Sequence, residues 1–75
     1  MPQYFFDLEN GGGFLKDNDG RNLPDDAAIQ KELASILLDV AEDELNGIDP
    51  FTAEVTVRDL EDTVVTKGVL SFRAN

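Results

Sequence analysis

The sequence contains no cysteine, no histidine and no tryptophan. Without cysteine there are no disulfides, and the redox compartment is left open. Without histidine or cysteine, transition metals lose their usual ligands, because carboxylates alone suit Mg²⁺, Ca²⁺ or Mn²⁺. The common nucleophile–base arrangements of acyl transfer are missing for the same reason. Basic residues are scarce: six Lys and Arg stand against sixteen Asp and Glu, a net charge of −10. Nucleic-acid binding rests on cations that neutralise phosphates, and an anionic membrane surface repels such a chain. No run approaches the roughly 18 apolar residues of a membrane span. The opening Met1-Pro2-Gln3-Tyr4-Phe5-Phe6-Asp7 has neither the basic region nor the apolar core of a secretory leader. The expectation is a cytoplasmic protein that binds neither nucleic acid nor membrane, carries no cofactor or metal and is not an enzyme.

What is present is short and well patterned. Seventy-five residues, 41% of them hydrophobic, make one folded domain over 1–75 in spite of the charge. A chain of this length buries only about 60% of its unfolded surface. Disulfides, metals or oligomerisation usually make up the deficit, and here only oligomerisation is open.

Residues 3–8 alternate as a strand, with Tyr4, Phe6 and Leu8 on one face and Phe5 and Asp7 on the other. Asn10-Gly11-Gly12-Gly13 is a turn signal, and Phe14-Leu15-Lys16 returns as a short second strand. A polar connector, Asp17 to Asn22, follows. Phe51 to Arg58 alternates cleanly, with Phe51, Ala53, Val55 and Val57 on one face. Asp59 to Asp62 is a charged turn. Thr63 to Arg73 is the last strand, and Gly68 inside it signals a bulge or a close backbone approach. The fold class is α+β with the plan ββαββ, two hairpins forming a small antiparallel or mixed sheet packed on one long helix.

That helix, Asp25 to Asn46, is the most informative segment. Asp25 or Asp26 caps its start, and Asn46-Gly47 with Pro50 stops it. At roughly 100° per residue, Ile29, Leu33, Ile36, Leu37 and Val40 form one apolar stripe. Ala27, Ala34, Leu38, Ala41 and Leu45 form a second, roughly 120° away. Together they exceed the ≳ 100° arc that an ordinary surface helix buries. The second stripe reads as a helix–helix homodimer seam in which the alanines permit close approach and the leucines anchor. Asp39, Glu42 and Asp43 crowd the end of the helix where its dipole disfavours negative charge, a surface for a basic protein partner.

Other motifs are weaker. Asp17-x-Asp19-Gly20 fails as a calcium loop in either register, because the glycine comes too early from Asp17 and Leu15 would stand at position 1 counted back from Gly20. It reads as a turn, with weak divalent binding at Asp17, Asp19 and Asp25 as the alternative. The glycine run lacks the following helix and Lys-Ser/Thr of a phosphate loop.

The opening Met-Pro-Gln-Tyr-Phe-Phe-Asp-Leu, Leu23-Pro24-Asp25, the Ala-rich helix and the closing Val69-Leu70-Ser71-Phe72 resemble a family of short bacterial proteins. Its members typically open Met-Pro-Arg-Tyr-Phe-Phe-Asp, and it is a domain of unknown function. The resemblance covers nearly the whole chain and supports the fold boundaries, but it transfers no active site. Gln3 stands where the family has Arg, and Gly68 where a β-branched residue is expected. The functional expectation is a binding or assembly module that dimerises through its helix. The alternative is a regulator of a basic protein, since the first hairpin, acidic connector and helix loosely resemble HicB-type antitoxins.

Overall fold

Alternation of apolar and polar side chains sets the sheet, and a 3.6-residue apolar period sets the helix laid on it. The computed structural model describes residues 2–44 and 50–73. Strand β1 (Gln3–Asn10) turns through Gly11-Gly12 into the three-residue β2 (Gly13–Leu15). The connector then forms β3 (Arg21–Asn22), before helix α1 (Asp26–Glu44) and the second hairpin, β4 (Phe51–Asp59) and β5 (Val64–Phe72). Every pairing among the described residues is antiparallel, in the order β2-β1-β4-β5 with β3 also on β1. Of the two expected arrangements, the antiparallel one therefore holds and the mixed one does not.

Two details correct the sequence reading. Strand β3 lies inside what reads as a plain connector. It pairs with Gln3 and Tyr4 on the same edge of β1 whose far end, Leu8 to Asn10, carries β2. Two residues are too few to show alternation, so pattern reading passes over them. Ala41, assigned to the outward stripe of the helix, is buried. It lies roughly 40° beyond Leu37 on the helical wheel, which puts it at the border of the core.

Phe6, Ala53, Val55 and Val57 from the sheet meet Ile29, Leu33 and Leu37 from the helix, with Tyr4, Leu8, Ile36, Val40 and Leu70 packed around them. The first stripe thus faces the sheet as expected. Burying each large apolar side chain contributes about 1.5–3 kcal/mol. Among the described residues eight hydrophobic side chains are buried, two of them alanines, so the total is modest. Asp25 is the N-cap and not the first helical residue: its Oδ1 accepts the Ala28 N–H at 2.8 Å. The expected stop at Asn46-Gly47 lies outside the described residues.

The helix packs on β4 and β5 to similar extents and runs in the direction of β5. Its first turns, Asp26 and Gln30, lie beside Val65 and Thr66, and Glu44 lies beside Phe51, which pairs with Phe72. Gly68 makes this seat possible. A Cβ there would stand 2.8 Å from Leu33 Cγ and 2.9 Å from its Cδ2. Of the two meanings offered for this glycine, close approach is the correct one; the irregularity in the ladder falls between Val57 and Arg58.

Gly68→Ala is expected to lower unfolding free energy by about 1–3 kcal/mol through overpacking against Leu33. In a double-mutant cycle with Leu33→Ala, followed by urea denaturation, the two changes should be less than additive. Strict additivity would show that Leu33 does not sense position 68.

Candidate functional site

Helix residues assigned to a homodimer seam divide into three groups. Ala27, Ala34 and Leu38 are exposed, with Leu38 64% accessible. Ala41 is committed to the core, and Leu45 lies outside the described residues. Residues on the β1 side of the helix are identified by their partners: Glu32 forms an ion pair with Arg21 of β3, and Ile36 lies over Phe6 and Leu8. Gln30 marks the β5 side. Ala27, Ala34 and Leu38 fall roughly 40–80° beyond Gln30, so the exposed apolar flank overhangs the β5 edge of the sheet. Asp39, Glu42 and Asp43 are all exposed; Asp39 and Glu42 face away from the core, whereas Asp43 falls about 20° from Ile36 on the β1 side. None of them has an ion-pair partner among the described residues.

The opposite face of the sheet holds a constellation that the sequence does not announce. Asp7 is the one buried charged residue among those described, 7% accessible. Arg58, on the neighbouring strand, donates from Nε to Asp7 Oδ2 at 2.8 Å and from one Nη to the Asp17 carbonyl at 2.8 Å. Its other Nη reaches Asp62 at 2.9 Å, and the guanidinium lies 4.6 Å from the centre of the Phe5 ring, a cation–π contact. Asp7 Oδ1 accepts the Asp17 N–H at 2.9 Å. Asp17 then turns its own carboxylate inward: Oδ2 accepts the Phe6 N–H at 3.1 Å, and Oδ1 the N–H groups of Asp19 and Gly20.

The arrangement solves a backbone problem. β2 and β3 cover the two ends of the β1 edge and leave its middle open, where an orphan N–H is costly. The Asp17 side chain fills that gap in place of a strand, and the Asp7–Arg58 pair fixes the loop that carries it. Gly20 completes the fit with φ 75°, and a Cβ there would meet Phe5 Cε2 at 2.8 Å. Burial pushes the Asp7 carboxyl upward, but the Arg58 hydrogen bond, the Asp17 N–H and the charges of Arg58 and Lys16 outweigh it and hold it below its ordinary value. Burial likewise raises Asp17, and the N–H groups of Phe6, Gly20 and Asp19 bring it below. These carboxylates are occupied by donors within the protein, and Asp25 is occupied as the helix cap. Sequence reading missed the cluster because it depends on the β1–β4 register, which pairs Phe5 with Arg58 and Asp7 with Thr56. The available signal was an Asp interrupting an aromatic strand.

A second region is a cleft of about 460 Å³ between the β1 edge and the helix, floored by Phe6, Leu8, Leu15 and Ile36. Lys16, Arg21, Asp17 and Asp19 rim it, so opposite charges are balanced there. Ser35 is exposed in mid-helix, and the Ser71 hydroxyl lies 3.2 Å from that of Thr52; neither approaches an activating base. Among the described residues no group of acidic side chains converges to hold a metal ion, and no helix is long and apolar enough to cross a membrane.

Comparison with known proteins gives a family and nothing more. The family model described as Domain of unknown function (DUF6894) matches residues 3–71, and the chain belongs to that family. No curated protein and no solved structure matches it.

The Asp7–Arg58–Asp17 cluster makes a pH-dependent contribution to stability. Folded-state values below the unfolded value of about 3.9 mean that the contribution is complete above that value and is lost as pH falls through the folded ones. Asp7→Asn should cost about 2–3 kcal/mol at pH 7. The variant should then lose less on acidification below about pH 4 than the parent, a difference in which the general relief of acidic repulsion cancels. Urea midpoints at both pH values measure it; parallel acid profiles would show that Asp7 does not hold the loop.

Proposed function

We propose that this member of a family of unknown function works by binding and not by catalysis, as an assembly module that pairs with a second copy of itself through its helix. One observation carries the reading: Ala27, Ala34 and Leu38 form an apolar flank that no part of the described chain covers. Leu38 is about two-thirds exposed on a helix whose other leucines, Leu33 and Leu37, are buried. The alanines leave room for a second helix at the usual 8–10 Å separation. The small core supports the same reading, since the eight buried apolar residues among those described leave a domain this short with little reserve.

The non-catalytic part rests on composition and placement. The chain has no histidine or cysteine, its two serines lie apart from any base, and its most unusual carboxylates are occupied in holding the fold. A cytoplasmic location follows from the composition as the simplest setting.

A second reading has its own observation. Asp39, Glu42 and Asp43 are exposed and unpaired among the described residues. They stand where the helix dipole makes them unfavourable by about 0.3–1 kcal/mol each. Docking of a basic protein, as an antitoxin-like regulator would require, turns that cost into recognition. Such docking should weaken steeply with salt.

Sedimentation velocity tests the first reading. The chain is expected to be dimeric at concentrations on the order of 10 µM, a moderate affinity. Leu38→Glu should dissociate it without changing the circular dichroism spectrum, because Leu38 contributes little to the monomer core. A parent chain that stays monomeric would sink the proposal, as would a Leu38→Glu variant that still associates.

A further inference from the structure

The two edges of the sheet are built differently. One edge consists of β2 and β3, three and two residues long, separated by the Asp17 plug. Short, interrupted strands of this kind blunt an edge against further pairing. The other edge is β5, nine residues from Val64 to Phe72, with no strand beyond it among the described residues. Within it Val64, Val65 and Val69 are 53%, 44% and 60% accessible. The segment carries one charge, Lys67, no proline, and only the irregularity near its start to interrupt it. A long apolar strand with a free ladder invites pairing unless something covers it.

We infer that β5 pairs antiparallel with β5 of a second copy, joining the two sheets into one continuous sheet across a twofold axis near Gly68. This rests on the homodimer reading above and specifies its geometry. Three observations choose a second copy as the occupant.

The first is distance. Strands lie roughly 4.8 Å apart, so each β5 would stand about 2.4 Å from the axis and each β4 about 7 Å. The helix is shared between β4 and β5, which places its axis about 5 Å away and the two helices about 10 Å apart. That is within the ordinary range of helix packing. Ala27, Ala34 and Leu38 are the residues on the overhanging flank. Sheet edge and helix flank therefore close in one movement.

The second is charge. All sixteen acidic residues lie at or before Asp62, while the chain after it carries only Lys67 and Arg73. A strongly acidic molecule can approach its own copy most easily along this segment. An axis at Gly68 sets Lys67 opposite Val69 of the partner subunit, so the two lysines do not meet. Leu33 lies over Gly68, so the axis passes near the middle of the helix. Asp39 to Glu44 begin about 9 Å farther along it, so the two C-terminal acidic clusters point away from each other, each coming alongside the other helix's first turn with its Asp25 and Asp26. The separation of the two clusters, at least about 18 Å, exceeds the Debye length of about 8 Å at physiological salt.

The third is area. A strip about 30 Å long, set by nine strand residues, and about 20 Å deep, through sheet and helix, covers roughly 600 Å² per copy. The total of about 1,200 Å² meets the lower bound of a specific interface.

Amide hydrogen exchange of the whole chain, read residue by residue by NMR, tests the pairing. In a lone β5, alternate N–H groups bond to β4 and the others face solvent. Protection of both alternate sets from Thr66 to Leu70 in the dimer, with one set lost on dilution, is the expected result. Val69→Lys, which sets like charges opposite one another twice per dimer, should weaken association about tenfold. A dimer in which one alternate set exchanges at the unprotected rate would overturn the β5 pairing and leave the helix-mediated dimer standing. A monomer at concentrations on the order of 10 µM would overturn both, and open-ended association beyond the dimer would overturn the twofold arrangement.

Discussion

A single helix has to cover the apolar face of a sheet wider than itself. A helix is roughly 10 Å across with its side chains, about two strand spacings, whereas β2, β1, β4 and β5 span twice that. The seat it takes is therefore decisive. Gly68 removes the side chain that would hold the helix off β5, and Ala53 on β4 is small and wholly buried. With two small residues below it, the helix settles over the β4–β5 hairpin. On the helix-facing side of β1 only Phe6 is buried, with Tyr4 and Leu8 partly open. The shallow cleft beneath Ile36 and the overhanging Ala27–Leu38 flank are both consequences of that one displacement.

The far face of the sheet answers a different demand. A two-layer fold normally leaves its outer face to water, yet here Asp7 is buried there and Arg58 nearly so. The reason lies in the edge of β1. Because β2 is short and β3 shorter, the connector between them must be held against the sheet, and it has few apolar groups with which to bury itself. Charge-assisted hydrogen bonds do this instead. The guanidinium links three chain segments: β1 through Asp7, the connector through the Asp17 carbonyl and the β4–β5 turn through Asp62. A lysine would supply the charge at Arg58 but not the planar fork that reaches all three.

How much of this the sequence discloses follows from which interactions are local. The strands over 3–8, 51–58 and 63–73 are legible because alternation is a property of neighbouring residues. Asp25 and Pro24 mark the helix start by local chemistry, and the inward stripe from Ile29 to Val40 follows from its period. Gly68 signals a close approach, although what approaches it, Leu33, is 35 positions away and can be seen only in the fold. What is hidden is whatever depends on register. Asp7 and Arg58 are unremarkable polar residues until β1 and β4 pair, and strand order, which leaves β5 at the edge, is a global property. Ala41 was misplaced because a stripe boundary on a helical wheel has no sharp edge for a side chain as small as a methyl group.

Net charge and edge chemistry bear on each other. A charge of −10 on 75 residues keeps copies of the chain apart over most of their surface. That repulsion makes one acid-free strand more selective, because alternative contacts are disfavoured while this one is not. It also explains why a Val-rich edge is tolerable. Open-ended stacking through β5 needs a second adhesive edge, and the opposite one is split by Asp17 and rimmed by Lys16, Asp19 and Arg21. A sheet with one open edge and one closed edge can add a single copy across a twofold axis and then has no edge left to extend. Under the proposed β5 pairing, the same device that satisfies the Phe6 N–H would limit how far assembly proceeds, and so would connect the buried Asp7–Arg58 pair to the association state.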